Sequence, residues 1–281
     1  MKISAIIPTF NRAHLVCNAI ESVLKQSYKV DEVIVVDNNS TDNTIKVIKE
    51  KYPEVIILEE KIQGVSNARN KGILNARNKW IAFLDSDDEW MPQKIELQVN
   101  NVKKSKNKVF FIHTNEIWMM NDKFLNQKKK HKKLEGYIFE KSLNMCTISP
   151  SSVLINDELF KKYGVFNDRL KVCEDYELWL RITSKVPVSL IKKPCVIKYG
   201  GHFDQLSKKY WGIDRFRVKA LEKLLLYYKL KIEQKKSMLS VLLNKIDIII
   251  CGAKKRGNIK VVRIYNFKKK YWSNKLRLLN E

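Results

Sequence analysis

The sequence predicts an α/β protein: a mostly parallel sheet with helices on both faces, followed by a helical C-terminal extension. Three observations predict it. Short apolar runs of strand length alternate with segments of helical period through roughly the first 90 residues. Each apolar run ends in a small polar cluster, as strands do where they pass into loops. From about Trp211 onward only the helical period remains.

The elements follow in order. Lys2 to Ile7 is a continuous apolar run closed by Pro8, which reads as a buried strand. Ala13 to Gln26 places Leu15, Ala19, Val23 and Leu24 at helical spacing. Glu32 to Val36 is a second strand, ended by Asp37-Asn38-Asn39-Ser40. Thr41 and Asp42 are suited to cap the helix that runs to about Lys51, which Pro53 ends. Val55 to Leu58 is a third strand, Gly64 opens a helix over Val65 to Ala76, and Trp80 to Leu84 is a fourth strand. That strand runs directly into Asp85-Ser86-Asp87-Asp88. Ligands in such sheets bind beyond the carboxyl ends of the strands, and the polar clusters fall there.

The middle is less regular. Phe110 to Ile117, Val153 to Ile155 and Cys195 to Tyr199 read as strands, Asp157 to Tyr163 and Asp175 to Ile182 as helices, and Lys128 to Lys133 as a solvated basic loop. The late helices present apolar faces at Leu221-Leu224-Leu225 and Leu242-Ile246-Ile249. The expected division is an α/β domain over 1–206, with halves at 1–100 and 101–206, and a basic helical extension over 207–281.

Composition narrows the function classes. A hydrophobic content of 44% supports a globular core. The first apolar run is too short for a secretory leader, and no run of about 18 apolar residues is present to span a bilayer. Five scattered cysteines, odd in number and without a CxxC pair, read as free thiols in a reducing compartment. The formal charge is +24, and 207–281 holds 21 basic against 5 acidic residues, a net of +16. Such a segment attracts polyanions, either an anionic membrane surface or nucleic acid, or is simply a solvated basic face.

Three carboxylates in the four residues 85–88 repel one another unless a cation neutralises them. A hard divalent ion sharing its coordination with a diphosphate is one solution. Taken alone, the cluster also fits a helix start ahead of Met91-Pro92.

Four blocks in order settle the context: Ser4 to Arg12 (SAIIPTFNR), Val33 to Asp42 (VIVVDNNSTD), Gly64 to Gly72 (GVSNARNKG) and Trp80 to Asp88 (WIAFLDSDD). Together they resemble the family 2 glycosyltransferases of the GT-A fold, the Rossmann-like fold of nucleotide-diphospho-sugar transferases. A further block, Glu174 to Trp179 (EDYELW), resembles the segment that supplies the catalytic base. The resemblance implies an inverting transferase that moves a single sugar from a nucleotide-sugar to a glycan or lipid-linked acceptor, in cell-surface polysaccharide or lipopolysaccharide synthesis. It implies donor contacts from Pro8, Thr9, Asn11, Arg12, Asp37, Asn38, Gly64, Asn67, Arg69, Asp85 and Ser86. It also implies a magnesium or manganese ion on Asp85 and Asp87, with His202 as a further ligand. Asn38 stands where the family usually has an acidic residue against the base, which leaves uridine, thymidine and guanosine donors open.

An acceptor hydroxyl needs a base to take its proton as it attacks. Asp175 is the expected base and Glu174 an orienting group; an acidic first turn stabilised by the helix dipole is the plainer reading of the same pair. Trp179 and Trp211 are candidates for stacking on a sugar or for core packing. The chain lacks the Q-x-x-R-W element of processive synthases, which favours single-sugar transfer. A nucleotidyltransferase would carry a glycine-rich basic loop where Pro8-Thr9-Phe10-Asn11-Arg12 stands. No helix-turn-helix, zinc-finger or RNA-recognition signature supports a nucleic-acid partner. The expected location is cytoplasmic, with the basic extension as a candidate for peripheral contact with the inner face of the membrane.

Overall fold

A computed structural model of the protein describes residues 1–106, 108–121, 123–201 and 210–281. The candidate ligand His202 and the expected boundary at 206/207 lie outside the described residues.

The first part alternates β1 (Ile3–Thr9), α1 (Val16–Leu24), β2 (Glu32–Asp37), α2 (Thr44–Lys51), β3 (Ile56–Glu59), α3 (Val65–Asn75) and β4 (Trp80–Phe83). Then come β5 (Asp88–Trp90), α4 (Lys94–Lys104), β6 (Phe111–Met120), β7 (Lys123–Phe124), α5 (Phe139–Ser142), β8 (Leu154–Asn156), α6 (Asp157–Tyr163), α7 (Glu174–Thr183) and β9 (Ser189–Gly200). The extension is α8 (Asp214–Tyr227), α9 (Ile232–Lys255) and α10 (Ile259–Leu278). The sheet order is β3-β2-β1-β4-β8-β6-β9-β5, with β7 on β6. One sheet therefore runs through both 1–100 and 101–206. β3, β2, β1 and β4 are parallel, as are β6 and β9, while β8 is antiparallel to both neighbours.

Every residue of β1 is buried, because the central strand has helices on both faces. Its alternation divides the core in two. Ile3, Ala5 and Ile7 join Val33 and Val35 against Ile20 of α1 and Ile95 of α4. Ile6 joins Ile34 and Phe83 against Ala68 of α3 and Leu178 of α7. Each of the Val, Ile, Leu and Phe side chains among them contributes about 1.5–3 kcal/mol on burial. α3 lies close to β1 at Gly72, where a Cβ would sit 2.5 Å from Ile6 Cγ2.

Helix α1 begins later than the expected Ala13. Residues 12–15 form a turn closed by the Leu15 and Val16 amides on the Arg12 carbonyl, and the Arg12 amide donates to Thr44 Oγ1 at 3.0 Å. This region belongs to the loops around the strand ends. β9 extends well beyond the expected Cys195–Tyr199 and pairs with β6 through an irregular register around Asn115.

The extension has its own core. Leu221 and Leu224 of α8, with Leu242 and Ile246 of α9, are fully buried against Phe139 of α5, Leu143 just after it, and Tyr176 and Leu180 of α7. These apolar faces pack on α5, α7 and one another, so they are not surfaces that a membrane could meet. Tyr265 and Trp272 anchor α10 in the same cluster. No helix among the described residues is long and apolar enough to cross a membrane.

Candidate functional site

Thr9 and Asp37 end β1 and β2 in direct register, so their side chains are neighbours at the carboxyl edge of the sheet. Asp37 Oδ2 accepts the Ser40 amide at 2.9 Å. Thr9 Oγ1 and Asp37 Oδ1 are buried without a partner among the described residues, a deficit that a polar ligand would relieve. Pro8 is buried within β1.

The loop after β1 is bound to the loop after β2. Asn11 adopts a left-handed conformation (φ 50°), its amide donates to Ser40 Oγ at 2.9 Å, and its Oδ1 accepts the Thr41 amide at 2.8 Å. Arg12 contributes positive potential at Asp87. Asn38 has a clear local task. Its Nδ2 donates to the carbonyls of Glu60 and Ile62, both at 2.9 Å, and its Oδ1 accepts the Gly64 amide at 2.7 Å. Both side-chain protons are thereby committed to holding the loop that opens α3. Gly64 has φ 142°, a left-handed-side conformation that favours glycine. Asn67, one turn into α3, donates from Nδ2 to the Gln63 carbonyl at 3.4 Å.

The centre of the crevice is a set of buried charges. Arg69 of α3 donates from Nη2 to Asp85 Oδ1 at 2.7 Å and from Nη1 to Glu174 Oε1 at 2.6 Å. It thus joins the end of β4 to the start of α7. Its guanidinium also lies over the Phe166 ring, 5.2 Å from the centroid. The loop that carries Phe166 is held to α3 by Asn70, which donates to the Phe166 carbonyl and accepts its amide, both at 2.9 Å.

Lys198 of β9 reaches the same acidic cluster. β5 pairs with β9 in the register Asp88↔Lys198, and Lys198 Nζ lies 2.8 Å from Asp88 Oδ2 and 3.9 Å from Asp85 Oδ2. Ser151 donates from Oγ to Asp88 Oδ2 at 2.6 Å and accepts the Asp85 amide at 3.1 Å. Ser86 is buried between the two aspartates in sequence.

The carboxylates respond differently. Burial pulls Asp85 upward, but Arg69 and Lys198 outweigh it and hold Asp85 below its ordinary value. Burial, then repulsion from Asp85, raises Asp87. Asp88 is pushed up to about 7 by burial, with Asp85 and Asp87 adding to it against Lys198. Burial and the charge of Asp175 likewise raise Glu174 to about 7 in spite of Arg69.

These residues fit a divalent ion of a particular kind. Among the described residues no three His, Cys, Asp or Glu side chains converge on one point. Asp85 and Asp88 already have cationic partners, whereas Asp87 is raised by burial and then by repulsion from Asp85. That arrangement suits an ion held by one or two carboxylates, with substrate phosphate oxygens completing its coordination.

Helix α7 starts abruptly at Cys173, a non-glycine residue with φ 63°. The turn sets Glu174 inward on Arg69 and leaves Asp175 half-buried. Asp175 Oδ1 accepts the Tyr176 amide at 2.7 Å, and its Oδ2 faces the Cys146 thiol at 3.5 Å. The two acidic side chains therefore diverge, one fixed and one accessible.

Trp179 is buried against Phe111 and Phe166 and belongs to the core. Trp211 is exposed and carries the Arg215 guanidinium 3.4 Å above its ring. All five cysteines carry free thiols.

Sequence reasoning missed several members. The only local signal at Lys198 is that it is the one charge in the run Cys195 to Tyr199. Glu116 of β6 is buried, paired to Lys133 at 2.9 Å and hydrogen-bonded by Ser149 at 2.6 Å. Lys133, expected in a solvated loop, is instead buried.

Comparison with known proteins gives a consistent picture. The profile described as glycosyl transferase family 2 matches residues 4–164. An uncharacterized glycosyltransferase of Rickettsia bellii (strain RML369-C) is 33% identical over 186 residues, covering 66% of this chain and 26% of its own length. The UDP-Glc:alpha-D-GlcNAc-diphosphoundecaprenol beta-1,3-glucosyltransferase WfgD of Escherichia coli is 32% identical over 192 residues, 67% of this chain and 72% of its own. The chain thus spans about a quarter of one relative and under three quarters of the other. The crystal structure of S. aureus TarS 1-349 in complex with UDP-GlcNAc superposes with a TM-score of 0.64 at 16% identity, covering 98% of this chain and 92% of that one.

Proposed function

Because this chain belongs to glycosyl transferase family 2, we propose that it is an inverting, metal-dependent enzyme that moves one sugar from a uridine diphosphate sugar to an acceptor hydroxyl in cell-surface glycan synthesis. The observation that carries the reading is the bridge made by Arg69. It ties Asp85, on the donor side, to Glu174, beside the candidate base, within one buried unit. Holding two reactants in fixed relation is where much of the rate of such a transfer comes from.

In this reading the nucleoside lies against Pro8, Thr9, Asp37 and the loop that Asn38 holds at Gly64 and Asn67. Asn11, Arg12, Asp85 and Ser86 face the ribose and diphosphate, and Arg69 fixes Asp85 for that contact. Uridine is favoured because the E. coli relative is named for a UDP-glucose donor and the S. aureus structure contains UDP-GlcNAc. Asp87, with Asp85, would hold Mg²⁺ or Mn²⁺. Once bound, the ion neutralises charge on the departing diphosphate.

Asp175 takes the acceptor proton while the acceptor oxygen attacks the anomeric carbon and the bond to the diphosphate breaks. Glu174, fixed by Arg69, orients the acceptor. The acceptor is a lipid-linked glycan at the inner face of the membrane, in line with the diphosphoundecaprenol acceptor in the name of the E. coli relative and with the net +16 of 207–281.

A thermal-shift panel of UDP-, dTDP- and GDP-sugars, with and without Mn²⁺, tests this on wild type and Asp175→Asn. Both proteins should be stabilised most by a UDP-sugar with Mn²⁺. The variant should keep that shift but lose about 10²-fold or more in kcat. Equal stabilisation in EDTA would remove the metal, and wild-type turnover in Asp175→Asn would remove the base.

A further inference from the structure

Helix α10 carries seven basic residues and no acidic one in its 20 residues. Its inner side is accounted for. Tyr265 and Trp272 are buried, Trp272 Nε1 donates to Glu222 Oε1 at 2.9 Å, and Lys268 and Lys269 turn to Glu222 and Asp247. Its outer side is not. Ile264, Phe267, Tyr271 and Leu278 stand at i, i+3, i+7 and i+14, so they share one face of the helix. All four are exposed, Phe267 at 75% and Leu278 at 58%. Lys260, Arg263 and Lys270 lie on or beside this stripe, and none of them pairs with a carboxylate among the described residues.

The stripe continues into a groove of about 370 Å³ lined by Leu225, Leu226, Leu239 and Trp272 together with Tyr271 and Leu278. Lys235 and Lys275 also line this groove.

We propose that the outer face of α10 is a membrane-docking surface: the helix lies flat on an anionic phospholipid bilayer, with Phe267, Tyr271 and Leu278 among the upper acyl chains and the lysines and arginines at the phosphates. A helix of this composition is the interfacial type, with one apolar stripe flanked by cations. At about 1.5 Å per residue it offers some 30 Å of contact. Charge chooses the occupant. A second copy of the chain would bring a like basic face against this one, and nucleic acid would leave Ile264 and Leu278 without an apolar partner. A bilayer of acidic lipid satisfies both components, each cation adding up to about 1 kcal/mol near the surface. The proposal rests on the membrane location given above and specifies which surface makes it, in place of the buried faces of α8 and α9.

The test is flotation of the whole chain with vesicles of phosphatidylglycerol and phosphatidylcholine, against phosphatidylcholine alone. Wild type should float with the first and not the second, and binding should fade as salt rises from about 0.05 to 0.5 M. Phe267→Ser with Leu278→Ser removes two exposed side chains, so its melting temperature should match wild type. Its vesicle binding should weaken at least about tenfold, as expected for removing two buried apolar groups. The inference is overturned if that variant floats like wild type or if neutral vesicles bind equally. It is also overturned if the variant only converts a dimer to a monomer, or if the face binds RNA and no vesicle. The UDP-sugar thermal shift, run on the same samples, keeps the two readings apart. Its loss with vesicle binding intact strikes the enzymatic reading alone, and the reverse strikes only the docking surface.

Discussion

Arg69–Glu174 in the crevice and Lys269–Asp247 in the extension are ion pairs of the same length, 2.6 Å. The side chains of the first are 4% and 9% exposed, and those of the second 45% and 49%. Equal geometry does not give equal energy. In the crevice the charges have left water, so each is tolerated only because its partner is there. On the extension, water and salt screen both charges whether or not they meet. The crevice uses charge to join α3 to the end of β4 and the start of α7. The extension uses it as a field around helices that apolar packing already holds.

The widest expected separation comes from Arg69→Met. The substitution keeps bulk but leaves Asp85 and Glu174 buried without their shared cation. Unfolding free energy should fall by about 3–5 kcal/mol, read by urea titration, and the donor-dependent thermal shift should disappear. A loss below about 1 kcal/mol would place this pair in the same class as the surface pair and break the comparison.

The two regions also differed in how much the sequence revealed. β1 to β4 and their helices were legible because each strand is a short, continuous apolar run with a polar cluster at its end, and those clusters hold many of the candidate site residues. What stayed hidden depends on pairings distant along the chain. Asp88 meets Lys198 only because β5 pairs with β9, 110 residues away. Nothing local to Asp88 announces a strand of three residues. The role of Asn38 as a loop staple depends on carbonyls 22 and 24 residues on. In the extension the helical period revealed the apolar faces of α8 and α9. Period alone cannot tell whether such a face packs on protein or on lipid, and burial of Leu221 and Leu242 decided it for those two helices.

Glu116–Lys133 is an intermediate case that sharpens the contrast. This pair is buried like that of Arg69, but it lies between β6 and the basic loop. Against the cost of burial, Lys133, Lys198 and Ser149 hold Glu116 down to about 2, from an ordinary 4.5. A carboxylate lowered in the folded state stabilises above its unfolded pKa, and that stability is lost as pH falls through the folded value. Glu116→Gln should therefore be less stable than wild type by about 3 kcal/mol near pH 6, with the gap roughly halved by pH 3. Urea titrations at the two pH values measure it. A gap that stays constant across that range would mean the stabilisation comes from packing and hydrogen bonds and not from the charge.

The smallest effect is expected at the surface pair itself. Asp247→Ala removes the partner of Lys269 while leaving Lys269 in water, where it needs none. Attachment of α10 rests on Tyr265 and Trp272, which are 8% and 5% exposed in the third core, and on Trp272 donating to Glu222. Stability should change by no more than about 0.5 kcal/mol, and less at high salt. The substitution also removes one of the few acidic groups near α10, so the positive field of the extension should rise slightly. A loss above about 2 kcal/mol in urea would show that the exposed pair pins α10 to α9 as firmly as buried charges pin the crevice. The distinction between charge that positions and charge that only surrounds would then fail for this helix.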